Sequence, residues 1–191
     1  MTVTGVTNCF NFVLKMMRLF SFTSLLLLLA CAEEEVPVQK DPEWSQEQSI
    51  EMMSTFSSAE DQEIDLFLKR HEDWKMTKTG TGLRYMIYQK SDTLDSVFVG
   101  DIVTVDFAIT LLDGTECYSS TVNGPESFVV EKTDIESGLH EAVKLMCPGD
   151  KGKFILPSHI AHGLIGDTDM IPPLTPVVYD MHLLKVEKQI E

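Results

Sequence analysis

The sequence predicts an α+β domain, an antiparallel sheet of about five strands packed on one short helix and preceded by a helical segment. Three observations predict it. The spacing of apolar residues changes from a helical period to a period of two after the turn residues Gly80 and Gly82. Residues 102–112 alternate cleanly between apolar and polar side chains. A short apolar stripe of helical spacing at 139–146 then interrupts the strands.

The helical segment before the sheet is predicted within residues 45–75. Pro42 is placed as a helix-start residue before a first, weakly periodic stretch. Ser58 and Asp61, three positions apart, resemble a capping box that begins a second helix. One face of that second helix carries Ile64, Phe67, Leu68 and His71. Because a helix of this length is marginal alone, we expect it to pack on the domain that follows.

The strands follow in chain order. Residues 83–90 form the first, and 102–112 form the second, with one face buried and the other partly solvated as in an antiparallel sheet. The Asp113-Gly114 turn leads into a third strand that contains Cys117 and Tyr118. The remaining strands are predicted at 126–132, 151–157 and 175–186.

One short helix crosses the sheet. Its apolar residues are spaced i, i+3, i+4 and i+7, which places them in one stripe, and Pro148-Gly149 ends it. The stripe consists of Leu139, Ala142, Val143 and Met146.

The first thirty residues contain two charges, Lys15 and Arg18, and no acid. An apolar run of about a dozen residues ends at Cys31, which is short of the roughly 20 that span a bilayer. A basic start, a short apolar core and small residues at its end are typical of a secretory signal. The ending "LLAC" resembles the lipobox of bacterial lipoproteins, in which the cysteine is lipidated. We expect a lipoprotein signal at 1–30, an acidic tether at 31–44 and a membrane anchor through Cys31.

An ordinary cleaved signal or an uncleaved anchor is the alternative for this leader. The acids directly after Cys31, "AEEE", resemble an export signal of bacterial lipoproteins. They favour a lipid-anchored protein of the bacterial envelope, at the outer membrane on its periplasmic or surface face.

The overall charge and the scattered reactive side chains exclude several functions. A net charge of −15 argues against nucleic acid, because phosphate binding needs clustered Lys and Arg. His159 and His162 lie three residues apart without a helical pattern or an evident third ligand, so no metal site is predicted. Cys117 has no electropositive neighbour in sequence to lower its pKa, and a packed thiol is expected rather than a nucleophile. Cys147 could pair with Cys117 in an oxidising compartment, but two separate thiols are expected. No cofactor motif is present.

Four segments from Asp101 to Val186 carry the most specific pattern. They are the "DG…SS" hairpin, the helix "G-L-x-E-A-V-x-x-M-x-x-G", the "IPP" turn at 171–173 and the closing strand "Y-D-M-x-L-L". Together they resemble the FKBP-type peptidyl-prolyl cis-trans isomerases. The resemblance implies a half-barrel of antiparallel strands around one helix, an isomerase domain at 76–191, and proline-containing polypeptides as clients.

Rotation about a peptide bond has a barrier of about 18–20 kcal/mol. A dry cup that holds the proline ring, with one donor for the twisted amide, lowers that barrier by preferential binding of the twisted state. The resemblance implies that Glu136 offers its backbone N–H to the substrate carbonyl. It also implies a cup formed by the aromatics Phe107 and Tyr179, the walls Ile135 and Ile171, and a floor at Leu139 where tryptophan is frequent.

Three positions depart from the family pattern. Cys117 stands where phenylalanine is usual, Tyr118 where aspartate is usual, and His162 where a tyrosine donates a hydrogen bond. A buried aromatic contributes roughly 1.5–3 kcal/mol, so its loss costs about one or two orders of magnitude in rate. The prediction is therefore a membrane-anchored isomerase of weakened activity that assists protein folding in the bacterial envelope. The alternative is a non-catalytic chaperone or binding lipoprotein in an envelope or motility assembly.

Overall fold

The structure, a computed structural model, describes residues 45–189. The predicted signal at 1–30, the lipidation site Cys31 and the tether at 31–44 lie outside the described residues. None of the helices in the described range combines the length and the hydropathy that a membrane-spanning helix needs.

The N-terminal helix, α1, is one continuous helix from Gln46 to Arg70. The prediction of a second helix starting at Ser58 was wrong, since Ser58 lies inside α1. The cap is Ser45: its hydroxyl accepts from the Gln48 N–H at 3.2 Å, and the Gln48 side chain accepts from the Ser45 N–H at 3.0 Å. This reciprocal pair is a capping box with glutamine at its third position, and it satisfies two backbone donors that a helix start leaves open.

The strands of the described residues form one antiparallel sheet of seven strands. The strands are β1 (Thr77–Lys78), β2 (Arg84–Gln89), β3 (Ile102–Leu111), β4 (Glu116–Ser119), β5 (Glu126–Val129), β6 (Lys151–Leu156) and β7 (Val177–Glu187). Their spatial order is β1-β2-β6-β7-β3-β4, and β5 pairs with β3. Two short helices, α2 (Ser120–Asn123) and α3 (Ser137–Lys144), and a 3₁₀ helix (Ser158–Ile160) interrupt them.

The predicted α+β architecture is confirmed. The sheet has more strands than the five expected, and the two-residue β1 was not predicted. The alternation in β3 buries Val103, Val105 and Ile109 on the face that meets α3. All four residues of the predicted α3 stripe, at 139, 142, 143 and 146, are at most 4% exposed. Each large apolar side chain buried in this way stabilises the fold by roughly 1.5–3 kcal/mol.

Helix α1 covers the opposite face of the sheet. Ile64 and Phe67 pack against Ile155 of β6 and Val178 of β7, which are paired across the two strands. The expectation that this helix packs on the domain is confirmed. Its contact is also polar, because the buried carboxylate of Glu60 accepts from both the N–H and the hydroxyl of Ser158 at 2.9 Å.

A β-bulge shapes the hairpin between β3 and β4. Ile109 pairs with Tyr118 and Thr110 pairs with Glu116, so Cys117 is the extra residue on β4. A bulge re-aims the side chains at its centre. Cys117 and Tyr118 consequently both pack against the core below α3, although they are neighbours in sequence.

Candidate active site

The structure brings seven of the nine predicted pocket residues into the hydrophobic cluster that the sheet and α3 form. Leu139, Ile171 and Tyr179 are buried, with 4%, 2% and 3% exposed surface. The partly buried residues packed against the same cluster include Phe107, Cys117, Tyr118 and Ile135. The term "cup" is used below for these seven residues.

Tyr179 lies at the centre of the sheet face. On β7 it pairs with Ile109 on one side and with Phe154 on the other. Burial raises the pKa of its hydroxyl well above the ordinary value, and the carboxylates of Glu136 and Glu126 raise it further. None of the hydrogen bonds found within residues 45–189 uses this hydroxyl. A neutral phenol therefore stands available to a ligand in the cup.

The start of α3 presents a backbone donor. Glu136 is the N-cap residue, and its carbonyl accepts from the N–H groups of Leu139 and His140. Its own N–H takes part in no hydrogen bond of the described chain. This is the N–H that the family resemblance assigns to the substrate carbonyl.

His140 fixes the loop that leads to this donor. Its Nδ1 accepts from the Glu131 N–H at 3.0 Å, so the hydrogen lies on Nε2, which donates to the Thr133 carbonyl at 3.0 Å. Glu131 has a positive φ of 59°, which this bond helps to hold. The sequence analysis missed His140, because these partners are visible only once the loop is folded.

The approach of α3 to the 3₁₀ helix depends on Gly138. A Cβ at this position would lie 2.8 Å from the Ile160 carbonyl oxygen and 2.8 Å from Leu156. The absence of a side chain thus lets the Glu136 end of α3 meet the segment that carries His162.

Tyr118 and Asp167 close another side of the cup. The Tyr118 hydroxyl donates a hydrogen bond to the Asp167 carboxylate, and this bond is the main cause that raises the pKa of Tyr118 to about 12. Burial alone would raise the pKa of Asp167, but hydrogen bonds from Tyr118 and from the N–H groups of Asp169 and Ile171 lower it. A carboxylate from the loop thus stands near the strand position where the family usually has an acid.

Cys117 is a protonated wall residue. Its Sγ lies 3.7 Å from the Met170 carbonyl oxygen. Burial raises the pKa of the thiol, and the carboxylates of Asp167 and Asp113 add to the effect. The thiolate needed for nucleophilic chemistry is therefore disfavoured. Cys117 and Cys147 are both free.

The two histidines considered for a metal have separate surroundings. Nε2 of His159 lies 2.9 Å from the Thr81 carbonyl oxygen. Nε2 of His162 lies 3.2 Å from Oε1 of Glu136, but the geometry is not that of a hydrogen bond and this buried nitrogen has no partner within residues 45–189. Only His162 is brought to the cup.

Glu126 is an exposed residue of β5 on the inner face of the sheet, and the sequence analysis missed it. On β5 it pairs with Val105, while Phe128 pairs with Val103, so Glu126 and the buried Phe128 point to the same face. Partial burial raises the pKa of Glu126, and Glu136 contributes to the rise. The period of two, counted back from Phe128, was the signal that would have found it.

A family model described as FKBP-type peptidyl-prolyl cis-trans isomerase matches residues 95–184. The peptidyl-prolyl cis-trans isomerase Fkbp12 of Drosophila melanogaster is 37% identical over 89 residues, which cover 46% of this chain and 82% of that protein.

Two longer bacterial relatives also match. FkpA of Aeromonas hydrophila, described as an FKBP-type peptidyl-prolyl cis-trans isomerase, is 37% identical over 58% of this chain, and the probable FkpA of Neisseria meningitidis is 31% identical over 74%. The chain spans about half the length of these relatives, 40% and 52% respectively. The crystal structure of FkpA from Escherichia coli shares the fold, with a TM-score of 0.59, 23% identity, and coverage of 76% of this chain and 74% of that one.

Proposed function

Because this chain belongs to the FKBP-type peptidyl-prolyl cis-trans isomerase family, we propose that its domain at 76–191 catalyses the cis-trans isomerisation of X-Pro bonds in polypeptide clients. The observation that carries the proposal is the free N–H of Glu136 beside the buried side chains of Leu139, Ile171 and Tyr179. A proline ring packs on such an apolar floor, and the N–H binds a client carbonyl.

The chemistry requires no acid, base or nucleophile. The twisted amide loses resonance, so it gains more than the planar amide does from leaving water for an apolar cup. Phe107 and Ile135 extend the apolar wall on two sides. The residues at the cup therefore bind and exclude water, and the Glu136 N–H orients the client.

The activity is weakened relative to a cup with a ring at position 117. A thiol fills less space than a phenyl group, and the missing ring contributes roughly 1.5–3 kcal/mol when buried. Tyr118 does not replace it, because its hydroxyl is committed to Asp167.

The proposed place of action is the bacterial cell envelope, with a lipid anchor at Cys31 and attachment at the outer membrane. What supports it is the sequence pattern that ends at Cys31 and the acids that follow. Clients are then proline-containing polypeptides that fold outside the cytoplasm. Labelling the protein in cells with radioactive palmitate tests the anchor, and a Cys31→Ser variant that still incorporates label would contradict it.

The alternative function is a non-catalytic chaperone or binding protein that uses the same cup. One observation favours it: the register of β5 puts the exposed, charged Glu126 on the same face as the buried Phe128. Exchange NMR on a short proline peptide separates the two functions. A folded sample of the protein that leaves the uncatalysed exchange rate unchanged, yet binds the peptide, would replace isomerisation by binding.

A further inference from the structure

Glu126 and Glu136 bring two carboxylates to the cup from different elements. Glu126 lies on β5 and points to the inner face with Phe128, and Glu136 caps α3. Each carboxylate helps to raise the pKa of the buried Tyr179 hydroxyl. Resting on the function proposed above, we infer that the cup selects client segments in which lysine or arginine directly precedes the proline.

Within residues 45–189, neither carboxylate has a lysine or an arginine as its partner. The ion pairs of residues 45–189 join neither Glu126 nor Glu136 to a lysine or an arginine. The neighbour of Glu136 is Nε2 of His162 at 3.2 Å, without a hydrogen bond. Two carboxylates without a lysine or arginine partner favour a positively charged ligand.

Polar atoms at the cup also lack hydrogen-bond partners within the described chain. Tyr179 is 97% buried by its 3% exposed surface, and its hydroxyl has no hydrogen-bond partner in the described chain. Nε2 of His162 is the buried side-chain nitrogen of residues 45–189 that lacks a hydrogen-bond partner. A buried polar atom without a partner costs about 1–3 kcal/mol. A ligand that donates several hydrogen bonds, as an ammonium or a guanidinium does, would bond to this nitrogen and to the Tyr179 hydroxyl oxygen.

The backbone donor sets the position of the basic residue. The N–H of Glu136 is proposed to bind the client carbonyl next to the proline, and the side chain of that same glutamate starts one residue away from this contact. A client residue that directly precedes the proline is therefore within reach of the carboxylates. The proline ring keeps the apolar floor of Leu139 and Ile171.

The test uses the purified full chain and four short peptides that differ only in the residue before proline: lysine, arginine, leucine or glutamate. Exchange NMR gives kcat/KM for each, and chemical-shift titration gives Kd. The expected preference for lysine or arginine over leucine is on the order of tenfold, with glutamate the poorest, and it decreases with added salt.

Two variants test whether Glu126 causes the preference for a basic residue before proline. Glu126→Gln is expected to remove most of it. Glu63→Gln, which makes the same charge change at an exposed position on α1, is expected to leave it intact. Equal kcat/KM for lysine and leucine in the natural protein would overturn the inference, and so would a preference that Glu126→Gln does not reduce.

The peptide series separates this inference from the proposed function. If the leucine peptide is accelerated without a basic preference, the isomerase stands and the selection is wrong. If no peptide is accelerated but the lysine peptide binds about tenfold more tightly than the leucine peptide, the catalytic proposal is wrong and the selection stands. If no peptide is accelerated and none binds, both are overturned.

Discussion

The hydroxyl of Tyr118 donates a hydrogen bond to the carboxylate of Asp167 and thereby joins strand β4 to the loop before β7. The same carboxylate accepts from the N–H groups of Asp169 and Ile171, at 2.9 and 2.8 Å. One side chain thus orders the loop that delivers the buried Ile171 to the cup. The Tyr118 side chain is thereby held to this loop.

Replacing Tyr118 by phenylalanine removes this tie without removing the ring. The Asp167 carboxylate then loses its hydroxyl donor, so we expect a lower stability and a several-fold lower isomerisation rate. Chemical denaturation and exchange NMR measure the two effects. Thr104→Val, which removes a hydroxyl bonded to Ser127 outside the cup, is the control for the loss of an exposed hydrogen bond. A Tyr118→Phe protein with unchanged rate would show that the tie does not order the cup.

The stability of the protein at high pH depends on Tyr118. Its pKa is raised to about 12 in the native state, whereas an unfolded tyrosine ionises near 10. Between about pH 10 and 12 the native state holds the proton that the unfolded state has lost, so this contribution to stability is complete below pH 10 and decreases as pH rises. Denaturation at several pH values should show a smaller decrease for Tyr118→Phe. Identical pH profiles would contradict the assignment.

The same hydrogen bond contributes to an acid limit of stability through Asp167. Its pKa is lowered in the native state by the hydrogen bonds it accepts, so its contribution is complete above the unfolded value near 3.9. It is lost as the pH falls through the native pKa, because the native state resists the proton that the unfolded state takes up. Asp167→Asn should flatten the acid limb of the stability curve. Asp169→Asn, at an exposed neighbour, should leave the limb as it is.

Filling the wall at position 117 should raise activity. Cys117→Phe restores a ring worth roughly 1.5–3 kcal/mol of burial, which corresponds to about one or two orders of magnitude in kcat/KM. Cys117→Ser, which keeps the small volume, should give no gain. Exchange NMR on a Leu-Pro peptide measures all three proteins. A phenylalanine variant that is folded but no faster would show that the cup is not limited by its missing ring.

The buried Glu60 should couple α1 to the active-site segment. Both of its carboxylate oxygens accept from Ser158, at the start of the stretch that carries His162. Glu60→Gln replaces one acceptor by a donor, so we expect a loss of about 1–3 kcal/mol in stability and a lower rate. The exposed Glu63→Gln is the matched control. A double-mutant cycle with Ser158→Ala should show coupling, and additive effects would contradict it.

Local patterns in the sequence predicted β2 to β7 and the stripe on α3, because burial on one face of a strand or helix imposes a period on the apolar residues. The prediction of two helices in place of one was wrong, since Ser45-Gln48 and Ser58-Asp61 both have capping-box spacing and their local sequences do not separate them. Ile64 and Phe67, in the second stretch, pack on β6 and β7.

In the candidate site, too, sequence patterns predicted some features, and others are visible only in the folded structure. The family pattern places the cup residues, and the structure gathers them with Leu139, Ile171 and Tyr179 at the centre. The hydrogen bond between Tyr118 and Asp167 joins residues 49 positions apart and depends on how the loop folds, so no local sequence pattern predicts it. Glu126 was within reach of sequence reasoning, because β5 alternates, but a carboxylate on the inner face contradicts the expectation of an apolar wall.

The most direct test of the catalytic proposal is the backbone donor of Glu136. Its φ of −57° is compatible with proline, which removes the N–H, whereas alanine keeps it. On a Leu-Pro peptide, exchange NMR should give Glu136→Ala a kcat/KM close to that of the natural protein and Glu136→Pro a value at least about tenfold lower, with both variants folded by circular dichroism. Equal rates for the folded alanine and proline variants would contradict the account.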